Sequence, residues 1–225
     1  MEKVTKNIVV IGAGYGGITA ALRLGRLFRH VPGYSIHLAD KYPFHTLKTQ
    51  LHEAAVHKRG VTIEVGRIIR NQSITFHLGA VSEINLRAKT IVIAGKTIAF
   101  EFLVVALGSQ TNFHNIAGLE QYALTLQSAS DAEKIYQRLS VMCARASSEP
   151  DPLRRKHILR FVVGGGGLSG IELAGELVDH ISQSAQDYRI SPTEPEVIVV
   201  EAADDILPAS GAELRKQIRK RLVEK

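Results

Sequence analysis

The stretch 8–22, IVVIGAGYGGITAAL, decides the fold of this chain. It opens with apolar, mostly β-branched residues, as expected for a strand that is buried on both faces of a parallel sheet. Gly12 then makes a tight turn, Gly14 leaves room for a pyrophosphate to approach the backbone, and Gly17 lets the next helix pack closely. Residues 18–28 are predicted to be that helix, whose free N-terminal amides favour phosphate. The stretch therefore predicts a dinucleotide-binding turn.

The next strand supports this interpretation. Residues 35–39 are predicted to form it, and Asp40 follows at its end. A carboxylate at this position accepts hydrogen bonds from the ribose of a dinucleotide. Strand, glycine turn, helix and acidic strand end thus occur in the expected order.

The stretch 159–177, LRFVVGGGGLSGIELAGEL, repeats the pattern. Four consecutive glycines leave its frame ambiguous by one residue. We choose the frame Gly165, Gly167 and Gly170, because it places the apolar residues of the following helix as in the first copy. The strand 197–200 comes next and ends at Glu201. One chain with two such turns is expected to hold two dinucleotides.

The nature of the second dinucleotide follows from Glu201. A carboxylate rather than an arginine at the strand end favours a free ribose 2′-hydroxyl, and therefore NADH over NADPH. Arg189 and the basic run 215–221 keep NADPH open as the alternative, because they could reach a 2′-phosphate.

Between the two copies, short alternating segments replace the helical pattern. The segments 73–77, 80–86, 90–93 and 97–100 predict a small antiparallel meander. Residues 102–106 form an apolar run that is expected to return to the first sheet as a strand.

Composition and individual residues exclude several other classes. The 225 residues include a single cysteine, Cys143, so a redox-active cysteine pair is not expected. His52 and His57 are five residues apart, which puts them about 140° apart on a helix, so no zinc site is predicted. No apolar run approaches the roughly 20 residues that span a bilayer, and no signal peptide or nucleic-acid site is expected.

The chain resembles a known family in its two glycine turns, in the segment FEFLVVALGS (100–109) and in the segment VIVVEAADDILP (197–208). They are similar to the flavin-dependent pyridine-nucleotide reductases with two dinucleotide-binding domains. Within that group they look most like type II NADH:quinone oxidoreductases, the non-proton-pumping NADH dehydrogenases. The resemblance implies an α/β fold with two Rossmann-like domains, parallel sheets and an antiparallel β-meander. It divides the chain into an FAD domain (1–112), a connecting segment with a helix (113–156) and an incomplete NADH domain (157–225).

The resemblance also implies roles for individual residues. Glu172 matches an acidic position beside the nicotinamide and the flavin, and is the candidate catalytic residue; Glu176, one turn on, is expected to be a solvated or packing residue. Candidate FAD contacts are Gly12, Ala13, Gly14, Tyr15, Gly16, Gly17, Asp40, Lys41, Lys48, Thr49, Val81, Ala106 and Gly108. Candidate NADH contacts are Gly165, Gly166, Gly167, Gly170 and Glu201.

The implied function is hydride transfer from NADH to FAD, followed by electron transfer to a quinone. Two alternatives remain open at this stage. One is a ferredoxin- or rubredoxin-type reductase, and the other is a non-catalytic dinucleotide-binding fragment. The chain stops where family members continue, so it is expected to be the N-terminal part of a longer protein. The full-length protein is expected to be a homodimer that lies on the cytoplasmic face of the membrane through a C-terminal region.

Overall fold

A computed structural model describes residues 5–70, 72–184, 187–191 and 193–224. Its strands are β1 (Lys6–Ile11), β2 (Tyr34–Asp40), β3 (Phe44–Thr46), β4 (Thr62–Glu64), β5 (Ile74–Leu78), β6 (Val81–Asn85), β7 (Thr90–Ile93), β8 (Lys96–Ala99), β9 (Phe102–Val105), β10 (Arg160–Gly164) and β11 (Glu196–Val200). Its α-helices are α1 (Tyr15–Leu27), α2 (Leu51–His57), α3 (Val65–Ile68), α4 (Leu119–Tyr122), α5 (Ala129–Ser148), α6 (Pro152–Ile158), α7 (Leu168–Ser184) and α8 (Ala212–Glu224).

The chain divides into two compact units. The first unit contains residues 1–47 and 62–112, and the second contains residues 48–61 and 113–225. Helix α2 therefore belongs to the second unit, although the strands on either side of it in sequence belong to the first.

The first unit has three layers: a central parallel sheet, α1 on one face of it and the β-meander on the other. The strand order of this sheet is β5-β2-β1-β9, and all of its strand pairs are parallel. Val10 and Leu38 pack with Ile18 and Ala21 of α1 in one core cluster. On the other side, Val9 packs with Ile91 of the meander in a second cluster. The central strand is apolar at successive positions because both of its faces are covered.

The meander differs from its prediction in one strand. Strands β6, β7 and β8 form an antiparallel sheet, as expected. The predicted first strand of the meander, 73–77, is instead β5, which pairs in parallel with β2 at the edge of the main sheet. Gly79 separates β5 from β6 with φ +154°, so the chain changes sheets at a residue that tolerates this backbone conformation.

The described part of the second unit contains a parallel strand pair and the helices α2, α4, α5, α6, α7 and α8. Strand β10 pairs in register with β11. Val163 packs with Ala174 and Leu177 of α7, Leu139 of α5 and Val56 of α2 in its main core cluster. Val56 is 0% exposed, which makes α2 an integral part of this core.

The segment predicted to connect the two domains, 113–156, belongs to the second unit and contains three helices, α4, α5 and the start of α6. Helix α5 begins with a capping box in which Ser128 and Asp131 satisfy each other's backbone amides. It ends at Ser148, and α6 starts at Pro152 after Asp151 has capped the Leu153 amide. The two helices are thus separated by residues 149–151 alone, because an aspartate–proline pair starts a new helix there.

Candidate nucleotide sites at two glycine turns

The first glycine turn lies between β1 and α1. Gly12 has φ +101°, and its amide donates to the carbonyl of Ala39 at 2.7 Å. A Cβ at Gly12 would lie 2.3 Å from the carbonyl oxygen of Ala106, and one at Gly17 would lie 1.7 Å from the carbonyl oxygen of Gly12. Close packing of backbone against backbone therefore explains both glycines.

Gly14 needs another explanation. Its φ of −73° is open to any residue, and a Cβ built on it would meet nothing within 4 Å. It occupies the N-cap position of α1 with no side-chain cap. The fold thus leaves empty space next to the free amides at the start of a helix. Such space and such amides are what a pyrophosphate requires.

Asp40 holds this turn in place. Its Oδ2 atom accepts a hydrogen bond from the Ala13 amide at 2.6 Å, and its Oδ1 atom accepts one from the Tyr42 amide at 2.8 Å. Each carboxylate oxygen has two lone pairs, so both retain acceptor capacity. The predicted ribose-binding residue therefore lies at the turn and also fixes the shape of its backbone.

His45 completes the first turn, although no sequence motif marks it. Its Nδ1–H donates to the carbonyl of Ala13 at 2.8 Å, and its side chain is 5% exposed. The ring of Tyr15 meets the His45 ring edge-on with centroids 4.8 Å apart. The peptide groups flanking the α-carbon of Ala13 are thus held from two sides, by Asp40 at the amide and His45 at the carbonyl.

The second turn, in the second unit, repeats the backbone angle and the helix contact of the first, but a Cβ at Gly165 would meet nothing within 4 Å. Gly165 has φ +102°, and its amide donates to the carbonyl of Val200 at 2.8 Å. A Cβ at Gly170 would lie 1.9 Å from the carbonyl oxygen of Gly165. A Cβ at Gly167, immediately before α7, would meet nothing within 4 Å. Gly165, Gly167 and Gly170 therefore correspond to Gly12, Gly14 and Gly17.

Glu201 repeats the role of Asp40. Its Oε2 atom accepts from the Gly166 amide at 2.6 Å, and its Oε1 atom accepts from the Ala203 amide at 3.0 Å. The hydrogen bonds from Ala203 and Gly166 lower the pKa of this carboxyl, so it is ionised at neutral pH. The amide of Leu207 donates to the carbonyl of Gly166 at 2.7 Å.

The remaining predicted flavin contacts fall into two groups. Tyr15, Gly16, Lys41, Val81, Ala106 and Gly108 belong to the first unit, together with Gly12 and Asp40. Lys48 and Thr49 belong to the second unit, where they form a 3-10 turn before α2. The Nζ atom of Lys48 donates to Oε1 of Gln127 at 3.3 Å.

Acidic residues on α7 face histidines of α2. The Oε2 atom of Glu172 lies 3.5 Å from Nδ1 of His52, whose side chain is 15% exposed. The Oε2 atom of Glu176 lies 2.9 Å from Nε2 of His57. Burial, and then the charge of His57, lower the pKa of His180 on the next turn of α7. Glu176 thus forms a hydrogen bond across the two helices, a contact that the sequence does not indicate.

Three further observations concern metal-ligating side chains, membrane-spanning helices and the thiol in the described part of the chain. No group of three His, Cys, Asp or Glu side chains there is arranged to hold a metal ion. None of the helices described has the length and apolar character needed to cross a bilayer. Cys143 is buried, and burial raises the pKa of its thiol, which makes it a poor nucleophile.

Comparison with known proteins assigns the two turns to a family. Residues 6–225 match the pyridine nucleotide-disulphide oxidoreductases. The chain belongs to this family. Its relatives include the type II NADH:quinone oxidoreductase of Staphylococcus saprophyticus, which is 27% identical over 217 residues, or 95% of this chain and 53% of that protein. The resemblance inferred from the sequence is thereby confirmed. The chain spans about half the length of the curated relatives it matches.

Two solved structures have the same fold as this chain. The NDH2 of Plasmodium falciparum in complex with NADH superposes with a TM-score of 0.84 at 19% identity, covering 98% of this chain and 46% of that one. The sulfide:quinone oxidoreductase of Aquifex aeolicus gives a TM-score of 0.75 at 21% identity, covering 98% and 49%. The predicted α/β fold class is confirmed by this likeness.

Proposed function

We propose that this chain forms the nucleotide-binding part of a flavin-dependent NADH:quinone oxidoreductase. In this proposal the turn around Gly14 holds the pyrophosphate of FAD, and the turn around Gly167 holds that of NADH. The observation that carries it is the open space at these two glycines, since neither backbone angles nor packing require glycine there. The names of the relatives support the choice of NADH and quinone.

The residues around each turn would then bind and orient the nucleotides. The free amides at the start of α1 and α7 would donate to the phosphates, and the helix dipoles would add to the attraction. Asp40 and Glu201 would accept hydrogen bonds from the two adenosine riboses. Bound FAD would supply the redox chemistry, accepting a hydride from C4 of NADH at N5 and passing two electrons to a quinone.

Glu172 would act on the nicotinamide side of this reaction. It is the fifth residue of α7 and lies two residues after Gly170, the last glycine of the second turn. We propose that its carboxylate orients the nicotinamide ring or adjusts the local potential, with no proton transfer required. His52 is close enough to limit the positions available to that carboxylate.

The roles of Lys41, Lys48, Thr49, Val81, Ala106 and Gly108 as flavin contacts belong to the same proposal. So does the division into an FAD domain, a connecting segment and an NADH domain. A homodimer and attachment to a membrane surface through a further C-terminal region are predictions for the complete protein.

Alanine substitutions test the two sites separately. Gly14→Ala is expected to fold but to lose flavin absorbance, because the methyl group would occupy the phosphate position. Gly167→Ala is expected to retain flavin and to bind NADH weakly. Gly66→Ala and Gly175→Ala are matched controls, since a Cβ at either position also meets nothing within 4 Å. Fluorescence and absorbance titrations with FAD and NADH provide the measurement.

The outcomes separate the candidate functions. Flavin that copurifies and is bleached by NADH under anaerobic conditions would support the proposal. Faster reoxidation by a small iron–sulfur protein than by menaquinone would favour a rubredoxin-type reductase instead. NADH binding without any flavin would favour a non-catalytic nucleotide-binding role. If both turn variants bind like the wild type, the proposed sites are wrong.

A further inference from the structure

An acidic residue in the loop after β11 holds two arginines of α8. The Oδ2 atom of Asp205 lies 3.5 Å from Nε of Arg215, and its Oδ1 atom accepts a hydrogen bond from Nη2 of Arg219. The two arginines are four residues apart and therefore lie on the same side of α8. One carboxylate thus engages both cations.

This cluster lies next to the second glycine turn. Ile206, the neighbour of Asp205, places its Cγ2 atom 3.2 Å from where a Cβ of Gly166 would be. The amide of Leu207 donates to the carbonyl of Gly166, and the carboxylate of Glu201 accepts from the amide of Gly166. The loop 201–207 is therefore anchored to the turn at both ends, and Asp205 lies between the two anchors.

The negative charge of Asp205 and the positive charges of Arg215 and Arg219 offset one another in this loop. The hydrogen bond from Arg219 and the charges of both arginines lower the pKa of Asp205, so its carboxylate is ionised at neutral pH. The Nε atom of Arg215 is buried, and it is the one buried side-chain nitrogen or oxygen in the described residues without a hydrogen-bond partner. Its positive charge is balanced by the Asp205 carboxylate at 3.5 Å, and loss of that carboxylate would leave the guanidinium to pair with a phosphate.

We propose that Asp205 is a specificity-determining residue that makes the second turn select NADH over NADPH. This inference rests on the proposed function. Arg215 and Arg219 are both paired with Asp205. They are therefore not available to the 2′-phosphate that distinguishes NADPH from NADH. That phosphate would also meet the carboxylate of Glu201, which a 2′-hydroxyl instead satisfies as a donor. Removing the Asp205 charge releases two cations beside the same position.

Binding titrations of the chain with NADH and with NADPH test this role. Asp205→Asn is expected to lower the Kd for NADPH about tenfold, the size expected of one new charge-assisted hydrogen bond. The Kd for NADH is expected to change by less than about twofold, since NADH carries no group at that position. Asp204→Asn is the matched control, because it removes the same charge one residue away at an exposed side chain.

A second variant connects the effect to the arginines. Asp205→Asn combined with Arg219→Ala and Arg215→Ala is expected to return NADPH binding to the wild-type level. Circular dichroism of each variant verifies that the fold is kept. Equal NADPH affinities of the Asp205→Asn and Asp204→Asn variants would overturn the role of Asp205 while leaving NADH binding intact. A wild-type chain that binds neither nucleotide would overturn the proposed function and this inference with it.

Discussion

The α-carbon of Gly17 approaches the carbonyl oxygen of Gly12 so closely that a Cβ at Gly17 would lie 1.7 Å from that oxygen. Gly170 and Gly165 repeat this relationship at 1.9 Å. Gly17→Ala and Gly170→Ala are therefore expected to lower the free energy of unfolding by about 1–3 kcal/mol or more, because the backbone must move to admit the methyl group. Urea unfolding is the measurement.

Gly14→Ala provides the comparison for this prediction. The new Cβ enters open space, so the free energy of unfolding is expected to fall by no more than about 1 kcal/mol, the size of a typical N-cap effect. Equal destabilisation by Gly14→Ala and Gly17→Ala would contradict the packing argument.

His45 gives a second prediction. It is the donor to the Ala13 carbonyl and is 5% exposed. His45→Leu removes that donor and leaves a carbonyl with reduced access to water, at an expected cost of about 1–3 kcal/mol in the free energy of unfolding. His30→Leu, at an exposed position after α1, is the control and is expected to be nearly neutral. A small effect at His45 would mean that the Ala13 carbonyl finds another partner.

A pair of histidines on the parallel sheet predicts a pH dependence. Nδ1 of His37 lies 2.8 Å from Nε2 of His77, and Nε2 of His37 lies 3.2 Å from Oδ1 of Asn7. Asn7 in turn donates to the carbonyl of Ala99, which requires its Oδ1 atom to face His37. The chain of donors and acceptors is complete when both imidazoles are neutral.

Burial lowers the pKa of both histidines. The pKa of His37 is lowered further by His77, and that of His77 by the charge of Lys96. The unfolded chain therefore binds more protons than the folded one below the ordinary value of 6.5. Stability from this pair is fully present above that pH and is lost as the pH falls toward the lowered values. The double variant His37→Gln/His77→Gln is expected to reduce the slope of melting temperature against pH between about pH 7 and about pH 5. His30→Gln is expected to leave the slope unchanged, and an unchanged slope in the double variant would refute the assignment.

Glu172 yields a prediction about rate. If it acts on the nicotinamide, Glu172→Gln is expected to slow anaerobic flavin reduction by NADH about tenfold or more, since pre-oriented charge contributes mainly to the transition state. The Kd for NADH is expected to change little. Glu176→Gln removes the same charge one turn further along α7 and serves as the control. Stopped-flow absorbance measures both variants, and equal rates would assign Glu172 a role in helix packing alone.

Local sequence rules were sufficient for the glycine turns. Gly17 and Gly170 follow from the requirement that a helix pack against the strand before it, and Gly12 and Gly165 follow from a tight turn with positive φ. Both requirements depend on a few neighbouring residues. The acidic strand ends, Asp40 and Glu201, were predictable for the same reason.

Long-range packing was beyond such rules. Nothing local in the sequence indicates that Val56 of α2 packs with α5 and α7 rather than with the strands adjacent to it in sequence. The parallel pairing of β5 with β2 was missed because a short alternating strand is compatible with either sheet. His45 was missed because its partner, the Ala13 carbonyl, is 32 residues away.

Because α2 belongs to the second unit, recombination between relatives of this protein must keep α2 together with that unit. The polypeptide passes from one unit to the other at 47–48, 61–62 and 112–113. A gene segment that begins at residue 113 would leave behind Val56, whose side chain is 0% exposed in the core around Val163. Recombination at a single crossover therefore cannot exchange one nucleotide-binding half for another, and a viable hybrid must carry residues 48–61 along with the second half.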